Sequence, residues 1–167
     1  NLIANLSKEY AAVSSNIVSG PILIIDPGHG GNDSGSVNGD YHESDINLAI
    51  SYILRDVLES MGYETYMTRE ADVWLDTDKR NELAETNGAD LFISVHLNSF
   101  ASENSNSVQG TEVLYCDERN DRSEVLATHL LNGVTKQAGS RNRGIKVRNG
   151  LLVLNRSSTS LPPADGR

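Results

Sequence analysis

The chain has 167 residues with 38% hydrophobic positions, enough for one well-buried core and too few for two. A formal net charge of -9 repels nucleic acid and anionic membrane surfaces, which excludes a phosphate-tracking role. The single cysteine, Cys116, excludes an internal disulfide and a multi-thiolate zinc cluster, and no apolar run is long enough to span a bilayer.

Residues 1–20 read as a linker or tail, with a weak helical spacing of Leu2, Leu6, Tyr10 and Val13 that ends at Ser19-Gly20-Pro21. No signal peptide opens the chain and the first residue is Asn1, so a processed protein or an excised piece is expected. The remainder, 21–167, reads as one domain. Ile22-Leu23-Ile24-Ile25 is a β-branched run closed by Asp26-Pro27-Gly28, which predicts a buried strand stopping at a loop that carries His29. From Ser44 the apolar positions Ile46, Ala49, Ile50, Ile53, Leu54, Val57, Leu58 and Met61 line one face of a predicted helix, stopped by Gly62.

Tyr63 to Met67 alternates like a strand, and Asp76 to Asn87 reads as a short polar helix before Gly88. Leu91 to Val95 is a second buried-strand run, ending at His96. A Ser- and Asn-rich loop spans Asn98 to Gln109, followed by strand chemistry at Thr111 to Tyr115. Ser123 to Ala138 has helical spacing with a stop at Gly139, and Leu151 to Leu154 is a possible strand. This alternation predicts an α/β fold, a single domain with a central, largely parallel (mixed) sheet flanked by helices on both faces.

His29 and His96 each follow a predicted buried strand, so both should emerge at the carboxyl edge of one sheet, where open α/β sheets build their sites. Glu43 lies at the return point of the loop that starts at His29. Two imidazoles and a carboxylate can therefore converge as the His/His/Glu set used by catalytic zinc. Taken singly, each histidine has a plainer reading as a polar strand-end residue. Gly28, Gly30 and Gly31 around His29 permit close backbone approach and positive φ. A phosphate-cradling loop is disfavoured because no Gly-Lys-Ser/Thr follows and the glycine spacing misses the dinucleotide pattern. Asp26, three residues before His29, is expected to orient a ligand imidazole through its free nitrogen. His42 is expected to be exposed, His129 to sit at the core boundary, and Cys116 to be structural. Arg69 and Arg80 are candidates for gripping a carboxylate bidentately, with a solvated surface role as the default.

Ile24-Ile25-Asp26-Pro27-Gly28-His29-Gly30-Gly31, Glu43-x-Asp45-Ile46-Asn47 and Ser94-Val95-His96-Leu97-Asn98-Ser99 together resemble the zinc-dependent N-acetylmuramoyl-L-alanine amidases. Thr68-Arg69, Arg80 to Ala84, Gly110-Thr111-Glu112 and Arg143-Gly144-Ile145-Lys146 agree, so the likeness spans roughly residues 22 to 161. The resemblance implies a zinc ion held by His29, Glu43 and His96. It also implies hydrolysis of the amide between muramic acid and L-alanine in bacterial peptidoglycan, by an autolysin-type hydrolase in an extracytoplasmic, cell-wall or secreted setting. The family's general base, a glutamate in a Val-Glu-x-Gly-Phe type motif after the segment matching Leu151 to Leu161, finds no match before Arg167. Asp165 lacks that context, so the catalytic base is unassigned and the domain is expected to be cut short at its C-terminal end.

Two other functions compete. One is a non-catalytic zinc-containing wall-binding module, or a truncated inactive form. The other is a zinc peptidase of the metallocarboxypeptidase kind. The acidic surface should be repelled by a polyanionic wall, so wall targeting is expected to come from a separate module.

Overall fold

The computed structural model describes residues 20–99, 109–118 and 122–154. The expectations for residues 1–19, for most of the loop after Ser99 and for residues 155–167 lie outside the described residues. The chain divides at Leu97/Asn98 into two compact units. The class is the expected α/β one, with a central parallel sheet and helices.

In the first unit, β1 (Ile22–Pro27) is followed by a small antiparallel ribbon of β2 (Val37–Asn38) and β3 (Tyr41–His42). Helix α1 (Glu43–Ser60), β4 (Glu64–Met67), α2 (Thr77–Thr86) and β5 (Leu91–Val95) complete it. The strand order is β4-β1-β5, with both pairings parallel. Parallel neighbours require crossover connections, which α1 and α2 supply. The central strand β1 is buried from Leu23 to Pro27, whereas β5, at an edge of this sheet, is only half-buried. Asp76 caps α2, its side chain accepting the Asp78 amide at 2.8 Å.

Helix α1 occupies the expected residues but is rotated relative to the expected face. Its fully buried residues are Glu43, Ser44, Asn47 and Ser51, with Leu54 and Leu58 half-buried below them, while Ile50, Ile53, Val57 and Met61 face outward. The phase is set at the helix start. Glu43 is fixed under the loop after β1, Asn47 Nδ2 donates to the Gly28 carbonyl at 3.3 Å, and Arg69 Nη2 donates to the Ser44 carbonyl at 2.8 Å. Positions i, i+4 and i+8 share a face, so anchoring Glu43 buries Asn47 and Ser51 with it. Their small side chains let the helix lie close to β1.

In the second unit, β6 (Thr111–Tyr115), α3 (Ser123–Ala138) and β7 (Asn142–Val147) form a β-α-β crossover with parallel strands. Ala127 and Leu131 are buried on α3, and Gly139 ends it in the left-handed conformation at φ 61°. Two expectations change here. Leu151 to Leu154 forms a turn closed by Leu154 N–H donating to the Leu151 carbonyl, while the second strand of the pair is the polar segment Asn142–Val147. Strand chemistry there is carried by pairing rather than apolarity, since Arg143 and Lys146 both reach Glu112 on β6. Cys116 is buried, as expected, and His129 is exposed rather than at the core boundary.

Candidate metal centre

Because β1 and β5 run parallel, their carboxyl ends lie at one edge, and His29 and His96 emerge there. Glu43 opens α1 immediately after the β2–β3 ribbon, whose return brings it under the His29 loop: its N–H donates to the Ser36 carbonyl at 2.9 Å. The three side chains converge. Glu43 Oε1 lies 3.2 Å from His29 Nε2 and 3.2 Å from His96 Nδ1, and one ligand atom from each residue falls within 4.8 Å of the others. The imidazoles meet edge to face, with centroids 4.8 Å apart and planes at 81°.

The loop geometry explains how this is held. His29 sits at φ 62°, the one described non-glycine residue with positive φ, and Gly30 and Gly31 follow at 128° and 58°. A histidine in this region costs on the order of 1 kcal/mol or more, so the surroundings must enforce it. They do so through Gly30, whose N–H donates to the Asp33 carbonyl at 2.7 Å, and through Arg80 Nη2, which donates to the His29 carbonyl at 2.9 Å. Gly28 is required for a different reason: a Cβ there would lie 2.2 Å from His96 Cε1. Gly35, at φ 64°, leaves space that a Cβ would take from His29 Cδ2 at 2.6 Å.

The carboxylate is well supported. Its Oε1 accepts the Leu97 amide at 2.9 Å and its Oε2 the Ser36 amide at 3.0 Å. Burial pushes the Glu43 carboxyl up, but the Ser36 and Leu97 amides, with His29 nearby, outweigh it and hold the group below its ordinary value. His29 Nδ1 donates to Asp33 Oδ2 at 2.8 Å. With Nδ1 given to Asp33, Nε2 is the nitrogen that faces Glu43. The same hydrogen bond, ahead of the opposing effect of burial, lowers the Asp33 carboxyl.

Two expectations about neighbouring residues shift. Asp26 is not the residue that meets the His29 ring. Its carboxylate, 1% exposed, accepts instead from Thr68 Oγ1, Ser94 Oγ and Arg80 Nη1, each at 2.6 Å. Asp33 takes the imidazole instead. A sequence signal for it existed in the Asp33-x-Gly35 turn, where Asp33 Oδ1 accepts the Gly35 amide at 3.1 Å. Arg69 and Arg80 are neither solvated nor open to a substrate carboxylate. Arg69 donates to the Pro27, Gly28, Ser44 and Ala71 carbonyls, and Arg80 to Asp26 and to the Pro27, His29 and Leu75 carbonyls. Both are internal braces for the loop after β1. His42 is half-exposed, 3.8 Å from Asp45, and takes no part in the cluster.

Two imidazoles and a carboxylate are a donor set that suits a divalent metal ion, with Glu43 Oε1 3.2 Å from one nitrogen of each histidine and the three ligand atoms all within 4.8 Å of one another.

The family model described as N-acetylmuramoyl-L-alanine amidase matches residues 23–162. A germination-specific N-acetylmuramoyl-L-alanine amidase of Bacillus subtilis (strain 168) is 36% identical over 151 residues, covering 82% of this chain and 62% of that protein. The chain spans between 22% and 67% of the length of the first four curated relatives. Among solved structures, an N-acetylmuramoyl-L-alanine amidase from Clostridium difficile 630 superposes with a TM-score of 0.76 at 32% identity, covering 84% of this chain and 75% of that one. The amidase AmiC2 of Nostoc punctiforme gives 0.73 at 35% identity, covering 83% and 74%.

Proposed function

The chain belongs to the N-acetylmuramoyl-L-alanine amidase family, and from that premise we propose that it carries a zinc-dependent hydrolase for the amide between N-acetylmuramic acid and L-alanine in peptidoglycan. The observation that carries the reading is the convergence of His29, Glu43 and His96 at one sheet edge. These three would hold the ion. A bound zinc supplies Lewis-acid polarisation of an amide carbonyl and makes water a competent nucleophile near neutral pH, which an unreactive amide requires. The chain's own residues do the rest. Asp33 takes His29 Nδ1 and leaves Nε2 facing Glu43, and the Ser36 and Leu97 amides keep the Glu43 carboxylate ionised and aimed. Arg80 and Arg69 hold the backbone from Pro27 to His29 in place.

The setting proposed with this activity is the cell wall outside the cytoplasm, in an autolysin-type or secreted role. Wall targeting is assigned to a separate module, since a chain of net charge -9 is repelled by a polyanionic wall. No helix among the described residues is long and apolar enough to cross a membrane.

A second reading keeps the zinc without the catalysis. Among the described residues, the carboxylates engaged with the cluster are Glu43 and Asp33, and both are committed, so no general base stands ready there. Two measurements separate the readings. The purified chain should contain about one zinc by elemental analysis, lost in His29→Ala, Glu43→Ala and His96→Ala variants that remain folded. Incubation with purified muropeptides should then release the stem peptide with a free L-alanine amine. Zinc without release supports the binding module, and no zinc in the folded wild type after zinc is supplied overturns both.

A further inference from the structure

We propose that Trp74 is a stacking platform for an uncharged pyranose ring of the glycan strand, a specificity-determining residue of the site; the assignment rests on the amidase reading given above. Trp74 is the sole tryptophan of the chain and its side chain is 57% exposed. Burying an indole is among the larger hydrophobic gains a side chain offers, so one left in water on an ordered loop gives the fold little and is available to a ligand.

Its placement points to the site. Trp74 lies in the loop between β4 and α2, at the carboxyl edge of the sheet that also delivers His29 and His96. That loop is fastened to the residues just after His29. Asp72 Oδ1 accepts the Gly31 N–H at 2.7 Å. A Cβ on Gly31 would stand 2.5 Å from Trp74 N and 3.1 Å from Trp74 Cβ, and one on Gly30 would stand 2.2 Å from the Val73 carbonyl oxygen. Gly31 is two residues from His29, so their Cα atoms are no more than about 8 Å apart. The Trp74 backbone is therefore held against the residues that directly follow His29, on the same edge of the sheet as the cluster.

Charge decides between the two parts of the polymer. The loop and the first turn of α2 carry Glu70, Asp72, Asp76 and Asp78, of which Glu70 lies 3.7 Å from Arg55. The nearby cations are committed: Arg69 and Arg80 face inward to carbonyls and Asp26, and Lys79 pairs with Glu82. Such a collar repels a carboxylate-bearing stem peptide and is indifferent to a neutral N-acetylated sugar. The axial C–H face of a β-linked pyranose is apolar and slightly positive, and it complements the negative face of an indole.

The test uses Trp74's own fluorescence, which no other tryptophan obscures. The probes are a tetramer of β-1,4-linked N-acetylglucosamine, which has no lactyl amide to cleave, and the free stem tripeptide. The expected result is a saturable emission change with the tetramer and none with the tripeptide. On intact sacculi, Trp74→Ala should raise KM about tenfold at nearly constant kcat, Trp74→Phe should retain most of the affinity, and both should keep their zinc. An unmoved emission with the tetramer, a response to the tripeptide alone, or an unchanged KM in Trp74→Ala overturns the platform. Because the tetramer needs no cleavage, its response stands even where amide hydrolysis is absent, so a failure of the amidase reading is distinguished from a failure of this one.

Discussion

Replacing Arg80 by methionine tests whether the site loop rests on a buried ion pair. Arg80 is 6% exposed and satisfies Asp26 Oδ1 at 2.6 Å together with the carbonyls of Pro27 and His29 at 2.9 Å and of Leu75 at 3.0 Å. Methionine fills part of the volume but leaves the Asp26 carboxylate with only the Thr68 and Ser94 hydroxyls. Removing one partner of such a pair costs about 3–5 kcal/mol, because the surviving charge stays buried without compensation. That is a large part of the 5–15 kcal/mol by which domains of this size are usually stable. Urea unfolding followed by circular dichroism would measure it. Asp26→Asn in the Arg80→Met background should recover at least about 1 kcal/mol, since the stranded charge is gone. A single-variant loss below about 1 kcal/mol, or penalties that simply add in the double variant, would refute the argument.

Gly28→Ala should lower zinc affinity at least tenfold in a chelator competition while shifting the urea midpoint little, since the new Cβ overlaps the half-exposed His96 ring, which can swing into solvent. Unchanged zinc affinity would show that His96 does not depend on that approach. Asp33→Asn should weaken zinc binding by about 10–100-fold by loosening the His29 ring, with the fold retained; binding as tight as in the wild type would remove Asp33 from the site. The Lys146 hydrogen bond, outweighing burial and aided by Asn98 and Arg143, holds the Glu112 carboxyl down at about 2. A group depressed on folding stabilises above its unfolded value near 4.5 and loses that contribution as pH falls toward 2. The loss should reach about 3 kcal/mol at most. Urea midpoints across that window should therefore flatten in Glu112→Gln, and an equally steep wild-type and variant profile would contradict it.

The parts of this fold that announce themselves in sequence are those where local chemistry and tertiary role agree. Ile22 to Ile25 and Leu91 to Val95 are apolar runs that end at turn residues, and they form parallel strands carrying His29 and His96 to one edge. Asp76 and Gly139 mark helix ends by the same local logic. What was not legible depended on partners far along the chain. Asp26 is claimed by Arg80, 54 residues away, so its proximity to His29 in sequence misleads. The buried stripe of α1 follows the anchoring of Glu43 rather than the apolar period, which is why Asn47 and Ser51 are inside while Ile53 is outside. Asn142 to Val147 looks polar in sequence, and the strand forms with Arg143 and Lys146 sharing Glu112, a pairing that no window of the sequence contains.

The order in which the sheet is assembled has a consequence for when the site can exist. Strand β1 is complete early, but its neighbour β5 pairs with it from a distance of 68 residues, as the Asp26–Ser94 contact illustrates. A chain synthesised at about 5–20 residues per second presents His29 and Glu43 roughly 2–10 seconds before β5 begins to emerge. During that interval Glu43 lacks both the Leu97 amide and the His96 ring, so the carboxylate and one imidazole stand as an incomplete, weakly binding pair. Closure of the sheet and completion of the ligand set are then a single event. A chain stopped before Leu91 would hold neither this edge strand nor His96, so the sheet and the three-residue cluster are completed by the same segment.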